Sequence, residues 1–130
     1  MRILLVEDDF ISRETLRAFL TDAGHDLIVE SDGQSGVHAW QSLQPDLVLM
    51  DLMLPVMDGV AAIRSIRRRE REAGTLPVGI VVLSATDDEP PLEQARDAGA
   101  DDFLPKPFSP TVVQARMALW HRVFTLEGRL

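Results

Sequence analysis

The chain has no cysteine in 130 residues, and Lys106 is the single lysine among its 13 basic residues. Without cysteine, disulfide staples and thiolate metal centres are excluded. Hydrophobic runs are short, far from the roughly eighteen apolar residues that a helical membrane span needs. Internal repeats, low-complexity tracts and linkers are missing as well. So is any surplus of positive charge: the formal net charge is −8, which argues against nonspecific nucleic-acid binding, a process that depends on Lys and Arg neutralising phosphates. Met1-Arg2-Ile3 opens directly into a strand with no leader pattern, so a soluble cytoplasmic domain without membrane contact is the expectation. What remains, 45% hydrophobic and 26% charged residues, is ordinary composition for one domain with its own core. That domain is expected over residues 1–126, with 127–130 a tail that could begin a helical linker to an output domain absent from the chain.

Short apolar strands alternate with amphipathic stretches, the pattern of repeated βαβ units around a mostly parallel sheet. The expected strands are Arg2–Val6, His25–Glu30, Asp46–Met50, Val78–Leu83 and Asp101–Leu104. Helices are expected over Phe10–Ala23, after Ser31-Asp32-Gly33 to Leu43, over Gly59–Glu72, from the Asp87-Asp88-Glu89-Pro90-Pro91 segment to Ala98, and over Pro110–Leu126. Pro105 removes a ladder donor beside the last strand, which places it at a sheet edge. The final helix carries one apolar stripe of Val113, Met117, Trp120 and Phe124, and a second of Val112, Ala115, Leu119, Val123 and Leu126. The second stripe has no obvious partner within the chain, and Leu119, Val123, Leu126 and Leu130 follow coiled-coil spacing. Arg64, Arg67, Arg68, Arg69 and Arg71 crowd the third helix and are expected to form a solvated face.

Three of the strands end on groups suited to magnesium or phosphate. Ile3-Leu4-Leu5-Val6 runs into Glu7-Asp8-Asp9, Leu47-Val48-Leu49-Met50 into Asp51, and Ile80-Val81-Val82-Leu83 into Ser84. A fourth short run, Phe103-Leu104, leads to Lys106-Pro107. In an open parallel sheet the carboxyl ends of the strands share one edge, and ligands bind where the strand order reverses. Clustered carboxylates repel by about 4 kcal/mol per pair at ~4 Å, so this grouping calls for a hard, oxygen-seeking cation. A composition that avoids lysine elsewhere has kept one beside a proline at a strand end, consistent with a point-charge contact to phosphate. His25, His38 and His121 lack metal-ligand spacing and are expected to be surface or packing residues.

In these segments, with Leu54-Pro55-Val56-Met57-Asp58-Gly59, Ala98-Gly99-Ala100 and Lys106-Pro107-Phe108, the chain closely resembles the receiver domain of two-component response regulators over about residues 2–124. The resemblance implies a flavodoxin-like, doubly wound, five-stranded parallel sheet in the order 2-1-3-4-5 with five helices, as in chemotaxis regulators. It implies that Asp51 is the phosphoacceptor for a sensor histidine kinase or phosphotransfer protein. Glu7, Asp8, Asp51 and the backbone carbonyl of Met53 would hold Mg²⁺, for which Mn²⁺ can substitute. Ser84 and Lys106 would contact the phosphoryl group, Ser84 and Phe103 would act as switch residues, and the Lys106–Pro107 peptide would be cis. Asp9 falls one position outside the acidic pair. Phe103 lacks a hydroxyl to hold it outside, so its inward state should be favoured. Met53 and Thr86 occupy places that tune access of hydrolytic water, and an apolar Met there implies slow self-dephosphorylation.

The implied output is a switched face made of the fourth helix, fifth strand and fifth helix, which could support a homodimer. No independent enzyme activity is implied beyond the domain's own phosphorylation and dephosphorylation. The alternative is a phosphorylation-independent pseudo-receiver, although loss of the phosphoacceptor, an acid or the lysine would be its usual mark. An independent phosphatase would want a second Asp two residues after Asp51, where this chain has Met53.

Overall fold

A computed structural model describes residues 1–85 and 89–130. Its elements run β1 (Arg2–Val6), α1 (Phe10–Asp22), β2 (Asp26–Glu30), α2 (Gly33–Leu43), β3 (Leu47–Asp51), α3 (Gly59–Ala73), β4 (Gly79–Ser84), α4 (Glu89–Ala98), β5 (Asp102–Pro105) and α5 (Pro110–Leu126). The five strands form one parallel sheet in the order β2-β1-β3-β4-β5. Fold class and strand order match the expectation. Several element boundaries move by one residue; among them, Asp51 and Ser84 belong to the ends of β3 and β4 rather than to the loops after them. Asp51 pairs with Leu83 there. The expected capping acids Asp87 and Asp88, Thr86, and the side chains of Glu89 and Pro90 lie outside the described residues.

Both faces of the sheet are covered, which explains why the central strands are apolar throughout. Leu4, Val6, Val48, Met50, Ile80 and Val82 pack with α2, α3 and α4. Their strand neighbours Ile3, Leu5, Leu47, Leu49, Val81 and Leu83 pack with Leu16 and Leu20 of α1 and Val113, Met117 and Phe124 of α5. The first α5 stripe is thus buried or partly buried, whereas Val112, Leu119 and Leu126 of the second are exposed. Gly128, with φ 75°, turns the chain away after α5. Its N–H donates to Thr125 and that of Arg129 donates to Phe124, so Leu130 lies outside the helix and leaves the coiled-coil seam.

Short polar side chains start the helices. Asp9, Asp32, Asp58 and Ser109 each accept from a backbone N–H in the first turn of α1, α2, α3 and α5. Asp58 sits at the end of the loop that follows Asp51, 2.8 Å from the Ala61 N–H. Asp58→Ala should therefore cost about 1 kcal/mol, read as a lowered urea midpoint. Asp58→Asn, which can still accept that bond, should recover most of the loss.

The arginines of α3 do not form the uniform solvated face expected of them. Arg64, Arg68 and Arg71 are exposed, but the Arg67 side chain is only 11% exposed and pairs with Glu70 at 2.8 Å and Asp101 at 2.9 Å. Arg69 reaches across to Gln41 of α2. The reason is the turn after α4: Gly99 has φ 118°, and the Arg67 side chain lies against its Cα, where a Cβ would clash at 2.6 Å.

Candidate functional site

Three strand ends and the β5–α5 connection converge at the carboxyl edge of the sheet. Strand order reverses between β1 and β3, since β2 lies on one side of β1 and β3 on the other. Glu7 and Asp8 follow β1 directly, and the Glu7 N–H continues the ladder by donating to Glu30 at 3.0 Å. The Lys106 N–H likewise donates to Ser84 at 2.8 Å, which extends the β4–β5 pairing one residue past Pro105. The Lys106–Pro107 peptide is cis. Backbone pairing thus delivers the lysine to the acids.

The cleft at this edge holds about 600 Å³ and is lined by Asp8, Asp51, Met53, Ser84 and Lys106, among others. One carboxylate oxygen from each of Glu7, Asp8 and Asp51 lies within 4.8 Å of the others. Lys106 Nζ is 3.4 Å from Asp51 Oδ2 and hydrogen-bonds Glu7 Oε1. Glu7 is fully buried, Asp51 is 6% exposed and Ser84 4%, whereas Asp8 is exposed. Every site residue expected from the sequence falls in or beside this cleft except Phe103 and Pro107, which stand nearby on β5 and the connection after it.

Glu7 Oε2 is buried and has no hydrogen-bond partner. Burial, together with the Asp51 carboxyl beside it, lifts the Glu7 pKa to about 8, against a partly offsetting pull from Lys106. For Lys106, burial acts downward, but hydrogen bonding to Glu7 and the Asp51 charge outweigh it, and its pKa is raised. An orphaned buried carboxylate oxygen beside two further acids fits a divalent cation: hard oxygen donors, spaced for one ion, with one donor lacking any other partner.

The raised Glu7 pKa has a stability consequence. Between its ordinary value of 4.5 and about 8, the folded protein keeps this proton while the unfolded chain releases it. Stability in chelator therefore falls as the pH rises through that interval. Glu7→Gln should stabilise the metal-free protein at pH 8 by ~1–3 kcal/mol, the scale of a buried unsatisfied polar group, with the gain shrinking towards pH 5. Urea denaturation at both pH values in chelator measures this; an unchanged gain at pH 5 would mean that the Glu7 proton is not responsible.

The loop after β3 is held tightly. Gly59 N–H donates to Leu52 at 3.0 Å, and a Cβ on Gly59 would fall 2.1 Å from the Asp51 carbonyl oxygen. Only glycine permits α3 to start this close to Asp51. Within the loop, Val56 has φ 69° and Met57 N–H bonds Pro55 at 2.8 Å, a tight three-residue turn.

Two further expectations meet the structure here. Asp9 is no part of the acid cluster: it caps α1, and the hydrogen bond from Ser12 lowers its pKa. Phe103, expected inward, is 40% exposed beside a cavity of about 380 Å³ also lined by Val82, Ala95 and Ala100. It pairs only with Val82 of β4, because β5 is the edge strand and has no neighbour on its other side to cover the ring. A residue missed in the sequence is Arg13, whose guanidinium makes long contacts of 3.5 and 3.4 Å to the carbonyls of Glu7 and Asp8. Its place one turn into α1 was the available signal.

Comparison with known proteins places this geometry. The response regulator receiver domain model matches residues 3–118. The chain is 39% identical over 97% of its length to the transcriptional regulatory protein CseB of Streptomyces coelicolor, covering 51% of that protein. It is also 39% identical over 98% of its length to the response regulator MprA of Mycolicibacterium vanbaalenii, covering 54% of it. The chain thus spans about half the length of these curated relatives. Among solved structures, the receiver domain of Ssk1 from Saccharomyces cerevisiae, in complex with the phosphotransfer protein Ypd1, superposes with a TM-score of 0.86 at 30% identity, over 92% of this chain and 88% of that one. The receiver domain of the Pseudomonas aeruginosa sensor histidine kinase PA1611, with magnesium in its active-site cleft, gives 0.81 at 32% identity, over 92% and 95%.

Proposed function

From the premise that this chain belongs to the response regulator receiver domain family, we propose that it accepts a phosphoryl group on Asp51 from a phosphohistidine of a sensor kinase or phosphotransfer protein. The observation that carries this reading is the meeting of Glu7, Asp8 and Asp51 within 4.8 Å, with Lys106 Nζ 3.4 Å from Asp51, in one open cleft. An Asp51 carboxylate oxygen attacks phosphorus, the phosphorus–nitrogen bond of the donor breaks, and the imidazole leaves with a proton from solvent. Glu7, Asp8, Asp51 and the Met53 backbone carbonyl would hold Mg²⁺, or Mn²⁺ in its place. When bound, that cation supplies positive charge to the transferring phosphoryl oxygens. Lys106, whose Nζ lies 3.4 Å from Asp51, supplies the second positive charge. Ser84, at the end of β4, offers a hydroxyl to the phosphoryl group.

Phosphorylation would then bias the face formed by α4, β5 and α5 through Ser84 and Phe103. The cavity beside Phe103 provides room for its ring to move inward. The exposed Val112, Leu119 and Leu126 stripe supports self-association on this face. Residues 1–126 serve as the receiver unit, and 127–130 as the tail leading towards an output domain. The unit acts in the cytoplasm and makes no direct contact with nucleic acid. Among the described residues, no helix is long and apolar enough to cross a membrane.

Intact mass after incubation with acetyl phosphate tests the reading. A phosphoryl adduct that forms with Mg²⁺ and not in chelator is the expected result. A folded protein that binds Mg²⁺ yet stays unmodified, with acetyl phosphate and with several phosphotransfer donors, would instead favour a pseudo-receiver.

A further inference from the structure

One guanidinium near the acid cluster touches two strand ends at once. Arg13, in the first turn of α1, has a side chain only 18% exposed, against 48% for Arg17 one turn later. Its Nη1 lies 3.5 Å from the Glu7 carbonyl oxygen, 3.4 Å from that of Asp8 and 3.4 Å from the Ser31 hydroxyl oxygen. The same side chain pairs with Glu14 at 3.6 Å, and its guanidinium carbon sits 5.6 Å from the centroid of the Phe10 ring, which lines the phosphorylation cleft. Taken singly, contacts of this length are weak. Together they set one cation on the turn after β1, on the turn after β2 and against a residue of the cleft wall.

The weight of this arrangement follows from what holds the three acids. Glu7 and Asp51 are buried and engaged by Lys106. Asp8 is exposed, and among the described residues its carboxylate has no hydrogen bond or ion pair. Its place within 4.8 Å of the other two therefore rests on its backbone. No backbone N–H of the described residues donates to the Glu7 or the Asp8 carbonyl. Arg13 is the donor that meets both.

We propose that Arg13 is a positioning residue for the acid site: by holding the Glu7 and Asp8 carbonyls, it fixes the turn that presents the Asp8 carboxylate to a divalent cation. The inference rests on the Mg²⁺-dependent function proposed above. Charge by itself predicts the opposite effect, because a guanidinium this close to the acids repels a second cation. Removing Arg13 thus weakens Mg²⁺ binding if the side chain holds the turn, and strengthens it if the side chain acts only through its charge.

The test measures Mg²⁺ affinity directly, from the amide shifts of Glu7–Asp9 and Asp51–Met53 in isotope-labelled protein. Arg13→Ala should weaken binding roughly tenfold, the usual cost of losing a group that orients a metal ligand. Arg13→Lys, which keeps a long donor and its charge, should recover most of that loss. Arg17→Ala removes the same charge from the same helix without touching either carbonyl, and should change little. In chelator, the Asp8 and Asp9 amides of Arg13→Ala should show lowered order parameters, a readout that needs neither cation nor phosphoryl donor. With acetyl phosphate, this variant should need more Mg²⁺ for its half-maximal adduct rate yet match the wild type at saturation. A loss of rate that Mg²⁺ does not recover would mean a general loosening of α1 and would overturn the proposal. Tighter Mg²⁺ binding by Arg13→Ala would overturn it in favour of charge alone. Equal affinity in wild type and Arg13→Ala would overturn this inference by itself, whereas a wild-type chain that binds no Mg²⁺ would overturn the proposed function and this inference with it.

Discussion

Asp51→Asn should abolish the phosphoryl adduct formed with acetyl phosphate and Mg²⁺ while leaving the fold intact. The amide is close in size to the carboxylate, so the 6%-exposed site at the end of β3 keeps its packing. What disappears is the anionic oxygen that forms the bond to phosphorus. Lys106→Ala separates charge from nucleophile: Asp51 remains, but the cation 3.4 Å from it is removed. Loss of one preorganised electrostatic partner typically costs ~10²–10³ in rate, so adduct formation should become slow rather than absent. Being the sole lysine, Lys106 has no neighbouring ammonium that could take its place. Intact-mass time courses on both variants measure the effect. An adduct on Asp51→Asn would place the acceptor elsewhere, and an unchanged rate in Lys106→Ala would remove the lysine from the transfer.

Far from the cleft, Arg67→Ala should destabilise the domain by ~3–5 kcal/mol, the usual consequence of breaking a buried, hydrogen-bonded ion pair. Its guanidinium donates to the Gly99 carbonyl at 2.9 Å, to Glu70 and the Val78 carbonyl at 2.8 Å each, and to Asp101 at 2.9 Å. Glu70 in turn accepts from the Val78 N–H at 2.6 Å, and Asp101 from the Ile80 N–H at 2.9 Å. This single fork ties α3 to the start of β4 and to the turn between α4 and β5. Removing it strands the Glu70 carboxylate, whose side chain is 5% exposed, and leaves two backbone carbonyls without this donor. The Asp101 arm contributes less, because that side chain is 40% exposed and screened by water. Arg67→Lys should restore little, since an ammonium lacks the planar geometry that serves several acceptors at once.

Arg96→Ala is the control: it breaks an ion pair whose side chains are each 70% exposed, and should change stability by less than ~0.5 kcal/mol. Urea unfolding of the set decides the matter, and a loss below about 1 kcal/mol for Arg67→Ala would mean that solvent replaces the network. Against a domain stability of ~5–15 kcal/mol, the expected loss is large enough to leave part of the variant unfolded at 37 °C.

The sequence by itself determined the strand order through family resemblance, and the element boundaries to within about a residue through its apolar runs and caps. It also named the acids, hydroxyl and lysine that meet at the cleft. These were readable because strand ends, helix caps and glycine stops are local signals, and because the residues follow their strands directly. The partnerships that form between distant segments came only from the tertiary structure. Nothing in the spacing of Arg67 separates it from Arg64 or Arg68; its burial depends on Gly99, 32 residues away, turning back against α3. The orphaned Oε2 of Glu7 required full burial of that side chain, whose other oxygen is taken by Lys106, 99 residues further along the chain. Phe103 stayed exposed because β5 has a neighbour on one side only, and Leu130 left its expected seam because Gly128 ends α5 first. Local chemistry is written residue by residue, whereas burial and pairing belong to contacts that exist only once the chain has closed on itself.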